Sequence, residues 1–173
     1  MVSSVAEVEA LSVPDPDRVA YLTQTTLSLT EAKDIIQALK KRFPNIVGPP
    51  TQDICYATEN RQVAVRNVAH TAGLVLVVGS TNSSNSNRLV EVSRNLGTKG
   101  YLIEDSRAIS PDWLEGVATV AVTAGASAPE VLVEDVLNYL RQNGFDKVEE
   151  VEVVPEDVRF GLPPAIAQAV GGA

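Results

Sequence analysis

The chain has one cysteine, Cys55, one histidine, His70, and single methionine and tryptophan residues, and only 5% of its 173 residues are aromatic. A lone cysteine excludes an intramolecular disulfide and fits a reducing compartment. His70 has no second histidine or cysteine at ligand spacing and reads as a surface or boundary residue. Cationic residues are scarce as well: 14 Lys and Arg stand against 22 Asp and Glu, for a net charge of −8, and the densest basic run is Lys40-Lys41-Arg42. No basic stripe exists to bind nucleic acid. That trio is expected to close a helix C-terminus, where the dipole favours positive charge. No apolar run approaches the roughly 20 residues that span a bilayer. The first residues have neither the basic start nor the apolar core of a signal peptide, so a cytoplasmic location is expected.

What is present is an apolar content of 45%, enough for a core in one domain of ordinary size or two small ones. Ala20 to Leu22 reads as a strand, and Ala32, Ile35, Ile36, Leu39 and Phe43 share one helical face up to Pro44. Gly48-Pro49-Pro50 is the candidate boundary between a partial αβ unit, residues 1–50, and a second αβ unit, residues 51–146. In the second unit Val65, Val68, Ala69 and Ala72 mark a helix closed by Gly73, and Leu74 to Val78 is an unbroken apolar run of the kind buried on both faces of a sheet. Leu89, Val92 and Leu96 return to helical spacing. Tyr101 to Ile103, Pro111 to Val117, Thr119 to Val122 and the helix marked by Val133, Val136, Leu137 and Leu140 continue the alternation. Strand and helix in turn predict an α/β fold with a parallel, doubly wound sheet. Val5, Val8 and Leu11 form a weak helical pattern at the start. Residues 147–173 read as one or two strands interrupted by Pro155 and followed by a Pro/Gly/Ala tail.

Three polar clusters punctuate this pattern: Gln24 to Ser28, Gly79 to Asn87 and Thr123 to Ser127. Each lies between an apolar run and a helix, where free backbone N–H groups and the positive dipole end suit an anion, phosphate above all. In a parallel sheet these turns gather at the carboxyl ends of the strands, so they are expected to share one ligand. The middle cluster is the richest. Ser80 to Asn87 is eight consecutive polar residues, all Ser or Asn except Thr81. A helix cap uses one or two of them, and Ser, Thr and Asn side chains donate to phosphate oxygens without adding charge; Arg88 offers one cation. Two caps compete with this reading: Ser28-Leu29-Thr30-Glu31 and Ser127-Ala128-Pro129-Glu130 both match a capping box. Cys55 stands at the head of a helix, open to two readings: a buried small hydrophobe, or a thiolate available as nucleophile or metal ligand.

Taken together, the strings Thr-Gln-Thr-Thr-Leu-Ser at 23–28, Arg-Phe-Pro at 42–44, Asp-Ile-Cys-Tyr-Ala-Thr at 53–58, Asn-Arg-Gln at 60–62, Val-Gly-Ser at 78–80, Asn-Ser-Ser-Asn-Ser-Asn-Arg-Leu at 82–89 and Val-Thr-Ala-Gly-Ala-Ser-Ala-Pro at 122–129 closely resemble the 4-hydroxy-3-methylbut-2-enyl diphosphate reductases, the IspH or LytB family. The resemblance runs in order from about Tyr21 to Gly144. It implies part of the second and all of the third domain of a three-domain, trefoil-like α/β reductase of the non-mevalonate isoprenoid pathway. That enzyme removes a hydroxyl from an allylic diphosphate with two electrons and two protons, drawn from a donor such as ferredoxin or flavodoxin. It also implies roles: Cys55 as one of three thiolate ligands of a [4Fe–4S] cluster, Ser83, Ser84, Asn85 and Ser127 as diphosphate ligands, and Thr25 beside the substrate, assisting proton delivery. The other two cysteines, the histidines and the proton-relaying glutamate of the family have no counterpart in this sequence. The expectation is therefore a carboxyl-terminal part that is inactive alone. A phosphate-ligand binding domain without redox chemistry is the alternative, and it would make Cys55 dispensable.

Overall fold

The computed structural model describes residues 1–26, 29–49 and 55–151. Its centre is a parallel sheet of three strands, β1 (Leu74–Val78), β2 (Lys99–Ile103) and β3 (Val120–Ala124), in the order β2-β1-β3. The register sets Leu76 opposite Tyr101 on one side and Val122 on the other. All five residues of β1 are fully buried, which is why this stretch is an unbroken apolar run: a central parallel strand has no solvent face. Helix α3 (Tyr56–Ala69) and helix α4 (Ser84–Asn95) cover one face, packing Val65, Ala69, Leu89 and Val92 on Val75 and Val77. Helix α5 (Glu130–Gln142) covers the other, where Val136 and Leu140 meet Leu74, Leu76 and Val78. The chain is thus α/β, with helices on both faces of a parallel sheet.

Several boundaries differ from the periodicity. The strand expected at Ala20 to Leu22 is a single parallel bridge, Ala20 to Val47, in which Tyr21 N–H donates to the Val47 carbonyl and Val47 N–H to the Val19 carbonyl, both at 2.9 Å. Pro44 and Pro49 flank the partner segment and cannot donate, leaving too few residues for a ladder. The helix expected from Pro111 to Val117 is one 3-10 turn, Pro111–Trp113, ahead of Gly116 at φ 68°. Trp113 stacks face to face on Tyr101, centroids 3.8 Å apart, and anchors this connection to the sheet. Residues 148–151 pair with no strand among the described residues, and the remainder of the expected C-terminal strand lies outside them.

The first 49 residues build a smaller cluster in which Val8 of helix α1 (Val5–Ala10) packs against Leu39 and Phe43 at the end of helix α2 (Leu29–Arg42). The basic trio does more than close its own helix. The Arg42 guanidinium reaches back to donate to the carbonyls of Val8, Glu9 and Leu11 at the end of α1, where the backbone offers acceptors that the helix does not saturate. Removing this cap by Arg42→Ala is expected to free α1 locally, at a cost of about 1 kcal/mol. Amide exchange at the α1 residues should quicken about fivefold while exchange in β1 stays unchanged.

Candidate functional site

The strand order fixes where a crevice opens. From β1 the chain leaves through α4 toward one face and returns in β2; from β3 it leaves through α5 toward the opposite face. Between the carboxyl ends of β1 and β3 the two connections diverge, which is the switch point at which parallel sheets hold ligands. The turns that diverge here are the middle and third polar clusters.

The structure sorts the middle cluster by occupation. Ser80 Oγ accepts the Asn82 N–H at 3.2 Å, and Asn87 Nδ2 donates to the carbonyls of Thr81 and Ser83 at 2.8 and 2.9 Å. Ser83 is the N-cap of α4, its Oγ accepting the Ser86 N–H at 3.2 Å and the Ser86 hydroxyl at 2.9 Å. Four of the polar residues therefore hold the turn. Ser84 is exposed at the first helical position. Asn85 is different: it is 7% exposed, yet neither its amide nitrogen nor its amide oxygen has a hydrogen-bond partner. A buried amide left unbonded costs about 1–3 kcal/mol, and it lies in the first turn of α4 beside unpaired backbone donors. Arg88, the cation that the sequence offers to this cluster, forms an ion pair of 2.6 Å with Glu91 one turn along α4.

In the third cluster the expected capping box at Ser127 does not form. The N-cap of α5 is Pro129, with φ −64° and ψ 136°, and the helix begins at Glu130. Proline disfavours helical backbone in the residue before it, so Ala128 cannot serve as the first helical residue. Ser127 is thereby exposed in the crevice loop with its hydroxyl relieved of capping. The competing box at Ser28 lies outside the described residues.

Cys55 is exposed, not buried, and is the N-cap of α3 without a side-chain cap bond. Its N–H donates to the Thr25 carbonyl at 3.2 Å, so the first polar cluster and the only sulfur nucleophile are adjacent. Thr25 itself is exposed. The carboxyl end of α3 is tied to the start of β2 by a 2.7 Å bond from Thr98 Oγ1 to the Ala69 carbonyl. A helix of 14 residues is about 21 Å long, so α3 runs from that tie toward the carboxyl ends of the strands, with Cys55 at its head. Ser83, Asn85 and Ser127 follow those strand ends. Cys55 and Asn85 moreover head neighbouring helices on one face.

A family model of the LytB protein matches residues 1–141. The chain belongs to the LytB family. It is 50% identical, over 99% of its length, to the 4-hydroxy-3-methylbut-2-enyl diphosphate reductase of Leifsonia xyli subsp. xyli, and 52% identical, over 94% of its length, to that of Psychrobacter sp.. Its fold superposes with a TM-score of 0.87 on the solved E-1-hydroxy-2-methyl-but-2-enyl-4-diphosphate reductase from Plasmodium falciparum, 32% identical and covered over 98% of this chain and 54% of that one. The chain spans about half the length of the curated LytB relatives it matches.

The donor set of this LytB chain is incomplete for the cluster that its resemblance implies. A [4Fe–4S] cubane with one open iron takes three thiolates, and the sequence has one cysteine. Among the described residues no group of three or more His, Cys, Asp or Glu side chains could hold a metal ion. No helix among them is long and apolar enough to cross a membrane. One element of the site was not legible in the residue pattern: Gly79 and Gly125 close on Ser86, so that a Cβ at either glycine would run into its Oγ. Three residues that read as generic turn chemistry are in fact an interlocking set across the ends of two strands.

Proposed function

We propose that this chain contributes the diphosphate-holding part of a 4-hydroxy-3-methylbut-2-enyl diphosphate reductase, which converts its substrate to isopentenyl and dimethylallyl diphosphate. Two electrons and two protons replace a C–O bond by C–H, and water leaves. The observation that carries this reading is Asn85, a buried amide kept without a protein partner at a helix N-terminus. Such a group is costly to the fold unless a ligand satisfies it. Its Nδ2, the hydroxyls of Ser83, Ser84 and Ser127, and the first N–H groups of α4 donate to the diphosphate oxygens. Thr25, next to Cys55, stands by the hydroxyl end of the substrate and assists proton delivery. Cys55 supplies one thiolate of the cluster, and an electron donor such as ferredoxin or flavodoxin supplies the reducing equivalents.

With one thiolate in place of three, the polypeptide by itself is expected to retain no stoichiometric cluster and to be inactive. Anaerobic incubation with iron and sulfide, followed by visible absorbance and an assay with a reducing partner, measures both. Stoichiometric cluster with turnover would overturn this part of the reading. Separately, a 1H–15N titration with dimethylallyl diphosphate should give saturable shifts at residues 83–85 and 127. Shifts with a nucleotide-sugar but none with the allylic diphosphate would favour a phosphate-binding domain without redox chemistry.

A further inference from the structure

We infer that Ser86 is a positioning residue of the diphosphate site: it fixes the Ser83 hydroxyl as a pure donor and sets the gap between the two turns that flank the crevice. This rests on the reading of the site given above. Ser86 is 1% exposed, and its backbone N–H and its hydroxyl both donate to one atom, Ser83 Oγ, at 3.2 and 2.9 Å.

A serine oxygen has two lone pairs and one proton. Both lone pairs of Ser83 are filled by Ser86, so what Ser83 has left is its O–H. The reverse arrangement, with Ser83 donating to Ser86, would leave the buried Ser86 proton without an acceptor and is disfavoured by the cost of an unmade bond. Ser83 is half-buried at the mouth of the crevice, and its hydroxyl therefore turns a donor, never an acceptor, toward a ligand. That polarity suits an anion and rejects a cation.

The second effect is geometric. Ser86 Oγ is wedged between the ends of β1 and β3: a Cβ on Gly79 would lie 2.8 Å from Ser86 Cβ, and one on Gly125 would lie 3.5 Å from it, both closer still to Oγ. Gly125 is bonded through its N–H to the Val78 carbonyl at 2.9 Å and begins the loop that carries Ser127. One side chain thus gauges the spacing between the Ser83 turn and the Ser127 turn. Ser86 itself is buried behind them and touches no ligand.

The test is a double-mutant cycle on the full 173-residue chain, read by 1H–15N titration with dimethylallyl diphosphate, with melting temperature recorded for every variant. Ser86→Ala should weaken binding roughly tenfold, the scale of one hydrogen bond to a charged group. In a Ser83→Ala background the same substitution should cost no more than about threefold, the part carried by the spacing of the two turns, because the hydroxyl it orients is gone. A merely structural Ser86 would instead weaken binding equally in both backgrounds, in step with the melting temperature, and that result would overturn the inference. Unchanged affinity of Ser86→Ala beside lost affinity of Asn85→Leu would also overturn it while the reading of the site stood. Absence of saturable binding by the unsubstituted chain would instead remove the reading itself, and with it the role assigned to Ser86.

Discussion

Asn85→Leu is expected to stabilise the chain and abolish its affinity for a diphosphate in the same step. The amide of Asn85 is buried with both polar atoms unbonded, a cost of about 1–3 kcal/mol. A leucine of similar branching removes that cost and adds apolar contact beside Leu89. The expected net gain is about 1–2 kcal/mol, a rise of a few degrees in melting temperature for a chain of this size. Dimethylallyl diphosphate, deprived of its buried donor and facing an apolar group, should bind at least thirtyfold more weakly. The opposite signs are the point: a polar residue kept for folding would lose stability on replacement, whereas one kept for a ligand gains it. Asn85→Val, closer in volume, carries the same expectation. A fall in melting temperature for both variants, with binding intact, would return Asn85 to the role of a structural amide.

Gly79→Val should have the largest effect on the fold itself. β1 ends at Val78, and Gly79 N–H continues the ladder to the Ile103 carbonyl at 2.9 Å, so its backbone cannot retreat without breaking a sheet bond. On the other side a side chain would meet Ser86 at 2.8 Å from Cβ to Cβ. Ser86 is held by the first turn of a helix and is not the far end of a flexible chain, so α4 must move away from the sheet. Overpacking of this kind costs about 3 kcal/mol, a large share of the 5–15 kcal/mol that stabilises an ordinary domain. Chemical denaturation should show the loss as a lower midpoint with unchanged slope. If Ser86 is the obstacle, Gly79→Ala should be appreciably less damaging when combined with Ser86→Gly than in the presence of Ser86; equal damage in both backgrounds would assign the cost elsewhere.

Much of this architecture is legible from residue patterning because each signal has a single physical cause. Leu74 to Val78 is uniformly apolar since both of its faces are covered, and Gly97 and Gly144 take φ of 84° and 94° where a helix must turn out of its path. The middle and third polar clusters are legible for the same reason, as turns between a strand end and a helix. What patterning misreads is local competition. Ser127-Ala128-Pro129-Glu130 has the letters of a capping box, yet the proline imposes extended backbone before it and displaces the helix start by two residues. Ala20 to Leu22 has the letters of a strand without a partner long enough to pair with. The division of labour within Ser80 to Asn87 is invisible in one dimension, because occupied and unoccupied hydroxyls look alike until their neighbours across the sheet are known. Cys55 illustrates the reverse: an isolated sulfur invites a buried reading, and its exposure at the head of α3 depends on where the helix lies, not on the residues beside it.

The stacked pair of Trp113 and Tyr101 makes the molecule a selective optical reporter. With a single indole in the chain, all of its tryptophan emission originates on the α5 side of the sheet, in van der Waals contact with a phenol able to pass excitation to it. Unfolding of α1 leaves that light unaltered and registers only as lost ellipticity, so fluorescence here follows one half of the polypeptide whereas circular dichroism follows the helices of both.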